Sequence, residues 1–154
     1  MKLKTGRYLL KHKKLRVCVG RIFSFTHHNQ NKTYFIPSVY EKIKNNENLS
    51  LDLIKSQYRD FLSVKDICIA IQLLLDLKFR GIINICSSNP VNLLFAVSFL
   101  TKALKKREIR IQKSKIDRSD LSYLVGKNKK LKKLGFKTKS SINTILKNYI
   151  KKMS

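Results

Sequence analysis

Two histidines stand side by side at His27 and His28, and three cysteines are scattered at Cys18, Cys68 and Cys86. A lysine-rich run, KNKKLKKLGFKTK, fills 127–139, with Tyr123 just before it and Phe136 within it. Imidazoles and thiolates are the usual ligands of zinc, but a zinc site needs at least three protein donors brought together. No third ligand stands near the histidine pair, so THHNQNKT (26–33) is expected to be a polar loop. The cysteines are far apart and each lies among apolar neighbours. That pattern predicts buried, reduced thiols rather than a disulfide framework. The lysine run could hold phosphates without sequence preference while aromatic rings stack on bases. A basic nucleic-acid-binding protein is therefore one admissible function class.

The overall charge points the same way without choosing a partner. Lysine and arginine total 34 against 9 aspartates and glutamates, a formal net charge of +25. Such a field attracts polyanions: nucleic acid, acidic membranes and phosphorylated ligands. Lysine, asparagine and isoleucine also share A/T-rich codons, and drift in a biased genome gives the same excess with no selection for binding. With 154 residues, 43% of them hydrophobic, the chain can build one domain with a real core. Charges interrupt every apolar run near the start, so no signal peptide or membrane span is expected, and a cytoplasmic location follows by default.

Several elements are legible. Residues 3–13 read as a short amphipathic helix. LRVCVGRIFSF (15–25) is almost wholly apolar and rich in β-branched residues, which predicts a strand buried on both faces of a parallel sheet. A helix is expected from Pro37, which suits a first turn. LSLDLIK (49–55) alternates as a half-buried strand does. Ser63 and Asp66 have the spacing of a capping box, each side chain satisfying an amide where a well-buried helix (64–77) begins. After Gly81 comes the strand IINIC, then SSNP as a turn, the helix VNLLFAVSFLTKALKK, and the short strand EIRIQ (108–112). Helices are expected over 127–134 and 140–152, with Gly135 closing the first of them. Alternating strands and helices predict an α/β architecture.

The ordered series YRDFLSVKDICIAIQLLL, GIINICSSNPVNL, DRSDLSYLVGKNKKLKKLGF and SINTILKNYI resembles the C-terminal half of the NAD-dependent epimerase/dehydratase family, the extended short-chain dehydrogenases that act on nucleotide sugars. The resemblance runs along essentially the whole chain. It implies the last sheet strands of a Rossmann-type core followed by a small substrate-binding α/β subdomain, with the N-terminal cofactor-binding half missing. Residues 1–35 would then end the Rossmann-like core, and 36–154 would form the substrate-binding and C-terminal helical part. The implied partner is a UDP-, GDP- or dTDP-linked sugar, and the implied cofactor is NAD or NADP. In the family two arginines grip the substrate diphosphate, as suits a side chain that binds phosphate through two parallel charge-assisted bonds. Their matches here are Arg59 and Arg118. Each could instead cap a helix or pair with a nearby carboxylate, Asp60 or Asp120. Ser24 stands where the family has a substrate-touching asparagine, and a hydroxyl cannot reproduce the amide's two-ended bonding.

The family's hydride chemistry belongs to the other half. There a Gly-x-x-Gly-x-x-Gly turn admits the cofactor pyrophosphate to a helix N-terminus, and a Tyr-x-x-x-Lys pair handles the proton. No such glycine-rich turn occurs in this sequence, and no Tyr-x-x-x-Lys stands at the family's place in it. Lys2 could be the family lysine or else an exposed terminal lysine of no consequence, and no tyrosine can stand four residues before it. A chain so equipped is expected to be inactive in hydride transfer by itself. Its first strand, an interior strand in the family, is expected to leave an edge and apolar faces uncovered. A degraded or mis-started gene product, a separately encoded half that joins an N-terminal partner or forms an oligomer, and a standalone binding module all suit that expectation.

Overall fold

A computed structural model describes residues 2–11, 15–51, 57–106, 111–113 and 123–153. It opens with α1 (Lys2–Lys11), β1 (Cys18–Ile22), β2 (Ser24–Phe25), α2 (Phe35–Lys44) and β3 (Leu49–Leu51). Then come β4 (Tyr58–Leu62), α3 (Val64–Asp76), β5 (Gly81–Ile85), β6 (Pro90–Asn92) and α4 (Leu93–Ala103). The chain ends with β7 (Ile111–Lys113), β8 (Tyr123–Leu124), α5 (Lys129–Lys133) and α6 (Ile142–Met153). The strands 49–55 and 108–112 can thus be followed only over 49–51 and 111–112.

β1 and β5 form a parallel pair with Gly20 opposite Ile83. β4 is the hub of a second sheet: β2 runs parallel to its end, β6 antiparallel to its start, and β8 parallel beside Tyr58 and Arg59. β3 and β7 make a third, parallel pair. The amide of Phe23 donates to the carbonyl of Ile85 at 3.2 Å, tying the first sheet to the second where β1 gives way to β2.

Two apolar cores lie on either side of β4. Successive strand residues point to opposite faces, and Phe61 enters one core with Ile36, Tyr40, Leu100, Leu146 and Tyr149. Its neighbour Leu62 enters the other with Ile67, Leu74, Ile83, Ile85 and Leu131. The helix over 64–77 begins as expected. Ser63 is its N-cap, and its Oγ accepts the amide of Asp66 at 2.9 Å, which satisfies one of the amides a helix start leaves without an internal partner. Gly135 follows α5 at φ +98°, the conformation that favours glycine after a helix.

Several expectations need correcting. The run 15–25 is two strands broken at Phe23, and it is not buried on both faces: Cys18, Gly20, Arg21 and Ile22 are exposed. β5 covers one edge of β1, and no described strand covers the other. α3 is not buried all round, since Ile71 is 42% and Leu75 66% exposed. Cys18 and Cys68 are exposed for the same reason, and only Cys86 is buried; all three are free. Asp66 completes no reciprocal capping box. Its carboxylate accepts the Ser63 hydroxyl at 2.8 Å and reaches across the fold to the amides of Lys139 (3.0 Å) and Ser140 (3.1 Å). Residues 90–92, read as turn and helix start, form β6. The helix assigned to Pro37 starts at Phe35, which leaves Pro37 in the first turn.

Candidate substrate cleft

β2 and β4 run side by side with Ser24 opposite Phe61, and the alternation of β4 puts Arg59 on the same face as Phe61. Ser24 and Arg59 therefore line one cleft of about 340 Å³, together with Gln30, Gln57 and the rings of Phe23 and Tyr34. None of its described lining residues is acidic. Arg59 is half-buried and its Nη1 donates to the carbonyl of Tyr58 at 2.9 Å. Burial holds the guanidinium's pKa below its ordinary value. Arginine nevertheless stays protonated in proteins, so this is a partly desolvated cation on the cleft wall.

Asp60 does not neutralise it. That side chain points to the opposite face and is 0% exposed. One oxygen accepts the amide and the hydroxyl of Ser87 at 2.6 and 2.7 Å, and the other accepts the amides of Ser88 at 2.9 Å and Gly126 at 3.2 Å. Asn128 extends this buried knot, its Nδ2 donating to the carbonyls of Cys86 (2.8 Å) and Ser87 (3.2 Å). The pairing of Arg59 with Asp60 entertained from the sequence is thereby overturned. Cys86 lies within the knot, and its thiol is pushed up to about 11, chiefly by burial and then by the charge of Asp60.

Arg118 and Asp120 lie outside the described residues. Lys2 begins α1, and its side chain too lies outside them. Gln30 is a site residue the sequence did not single out. Its Oε1 is buried without a hydrogen-bond partner, an acceptor left over on the cleft wall, and the polar loop 26–33 offers no periodicity that would mark it. In that loop Nδ1 of His27 accepts the amide of Asn29 at 3.2 Å. Among the described residues, no three His, Cys, Asp or Glu side chains come together as a metal site would need.

The described residues form no glycine-rich dinucleotide cradle. All five glycines serve packing or chain reversal. A Cβ on Gly6 would meet Val19, one on Gly20 would fall 2.9 Å from Ile85, and one on Gly126 would strike Cys86 and Phe23. Gly81 and Gly135 turn the chain after α3 and α5 at positive φ. The lysine run is also tied into the fold. Leu131 and Phe136 are buried, so Phe136 cannot stack on a base, and Lys130 Nζ sits 4.9 Å from the centre of the Phe79 ring. No described helix is long and apolar enough to cross a membrane.

No family model matches the sequence, and no curated protein matches it. Solved structures do match. The chain superposes on a dTDP-glucose 4,6-dehydratase from Bacillus anthracis in complex with NAD, at TM-score 0.82 and 23% identity over 96% of this chain and 48% of that one. It is equally similar to RMD from Pseudomonas aeruginosa complexed with NADPH, at TM-score 0.83 and 22% identity over 97% and 53%. A UDP-glucose 4-epimerase from Thermotoga maritima with UDP-glucose gives 0.81 and 19% over 99% and 52%. The chain has the fold of the C-terminal part of an extended short-chain dehydrogenase. It spans about half the length of the solved structures it matches.

Proposed function

We propose that this chain is the substrate-binding half of an NAD(P)-dependent nucleotide-sugar epimerase, dehydratase or reductase. In this assignment Arg59 grips the diphosphate of a UDP-, GDP- or dTDP-linked sugar, Arg118 joins it from the segment leading into β8, and Ser24 and Gln30 border the sugar. Residues 1–35 end the Rossmann-like core, and 36–154 supply the substrate-binding and helical part, with β5 returning to pair with β1. The cofactor is held by residues of a separate half, whether preceding this chain or on another polypeptide. That half packs on the open edge of β1 and on the apolar groove of about 440 Å³ that Ile22, Ile71, Leu75 and Phe79 help to line. Lys2 would be the lysine of the proton-handling pair, its tyrosine supplied from outside the chain.

The observation that carries the proposal is Arg59: a partly desolvated guanidinium on the wall of a cleft that it shares with Ser24. Calorimetric titration with UDP-, GDP- and dTDP-sugars tests it. One of them should bind saturably, and Arg59→Ala and Arg118→Ala should each weaken binding roughly tenfold to hundredfold, the worth of one charge-assisted contact. Absence of sugar-nucleotide binding, together with salt-dependent binding to generic DNA that ignores both substitutions, would overturn it in favour of a nucleic-acid-binding protein.

A further inference from the structure

Another cavity, of about 500 Å³, opens where three separate elements meet: the loop at 26–28, the first turn of α3 and α6 from Ile145 to Lys152. It shares no lining residue with the Arg59 cleft. His27 and His28 come from the loop, Lys65 from α3, and Lys151 and Lys152 from α6. The start of α3 adds the positive end of its helix dipole, although Asp66 stands in the same turn. No described lining residue is acidic.

The carboxylates in the neighbourhood are already engaged. Asp66 is occupied by the Ser63 hydroxyl and the amides of Lys139 and Ser140, and Glu41 pairs with Lys32 at 3.2 Å. Among the described residues, none of Lys65, Lys151 and Lys152 pairs with a carboxylate. Thr26, also in the wall, is 5% exposed, and its buried hydroxyl has no hydrogen-bond partner. Like charges and an unsatisfied polar group gathered around a hollow are unfavourable until an anion enters. The resulting field is felt locally: burial, then His27 and Lys152, hold His28 below its ordinary pKa. An apolar floor of Ile145 and Tyr149 leaves room for more than a bare ion.

We propose that this cavity binds a small organic phosphate, with the phosphate held by Lys65, Lys152, His28 and the α3 amides, and the organic body resting on Ile145. The inference does not rest on the sugar-nucleotide assignment. It is tested on the full chain carrying Arg59→Ala, which removes the diphosphate-gripping cation of the other cleft, by titrating inorganic pyrophosphate at about 0.15 M salt, where diffuse surface attraction is largely screened.

Saturable single-site binding is expected, with Lys65→Ala and Lys152→Ala each weakening it about tenfold. Lys129→Ala and Lys133→Ala, exposed on α5 and away from the cavity, should leave it unchanged. Two results would each overturn the proposal: no saturation at millimolar pyrophosphate, or equal weakening by all four lysine variants. All the lysines involved are exposed, so the variants should fold, and far-UV circular dichroism checks that they do.

Discussion

Asp60 is the residue whose removal should cost most. Its two oxygens satisfy three backbone amides and one hydroxyl at 2.6 to 3.2 Å, with no exposure to water. Asp60→Ala would leave four donors, three buried and one part-buried, without an acceptor. Each such orphan costs about 1–3 kcal/mol, and losses within one network do not add fully, so about 4–6 kcal/mol is expected. That is comparable with the whole stability of a domain, about 5–15 kcal/mol, and Asp60→Ala should be largely unfolded. Asp60→Asn is the informative variant. It keeps one acceptor but turns an NH₂ towards the amides of Ser88 and Gly126, for an expected loss of about 2–3 kcal/mol. In urea unfolding followed by circular dichroism, this moves the midpoint down by about 1–2 M at unchanged slope. Arg59→Ala is the control, expected to cost below about 1 kcal/mol, because its side chain stands on the opposite face of β4 from Asp60. The reasoning is refuted if Asp60→Asn shifts the midpoint no further than Arg59→Ala. Coupling well above about 0.5 kcal/mol in the double variant would refute it too, since that is the signature of an Arg59–Asp60 pair.

Two further outcomes follow from the same geometry. The fold keeps the Cys86 thiol protonated up to about pH 11, against 9.0 for a free thiol. Its stabilising contribution is thus complete below pH 9 and is lost as pH rises from 9 to 11, by roughly 2–3 kcal/mol in all. Stability curves should show that alkaline limb in the parent and not in Cys86→Ala. Tyr149, pushed up to about 12, is common to both proteins and cancels in the difference. The exposed Ile71 and Leu75 beside β1 should make the isolated chain self-associate and bind a hydrophobic dye. Ile71→Lys with Leu75→Lys should reduce both in sedimentation and fluorescence; no change would show that this face is not the adhesive one.

What the sequence revealed depended on how local the cause was. Ser63 and Gly135 act on amides and torsions within a few residues of themselves, so the ends of α3 and α5 were readable from residue type alone. β6 was not, because Pro90-Val91-Asn92 is a strand only by virtue of pairing with Tyr58 to Asp60, some thirty residues earlier. Asp66 looked like a local cap, yet its oxygens also serve amides more than seventy residues away. The burial of 15–25 and of α3 was overestimated because apolarity reports what a segment would bury. Whether it does so depends on a partner, and none covers Ile22, Ile71 or Leu75 among the described residues. The Arg59–Asp60 question was within reach of the sequence. Once YRDFL is taken as a strand, alternation alone turns the two side chains to opposite faces.

That alternation bears on which parts of the proposed function can be separated. On one face of β4, Arg59 and Phe61 look into the cleft; on the other, Asp60 and Leu62 fasten the strand to the 87–88 turn, to Gly126 and to the second core. The cleft is therefore held by residues of this chain, through a buried carboxylate and two apolar cores. The uncovered surface lies elsewhere, along β1 and α3. On the proposed assignment, this half keeps its diphosphate-gripping wall already formed, since none of that wall waits on the β1 edge for support. If the proposed assignment holds, substrate affinity should survive without the cofactor-binding half while hydride transfer does not. The two properties would then rest on different surfaces of the same fold, one complete within these residues and the other left open along a strand edge.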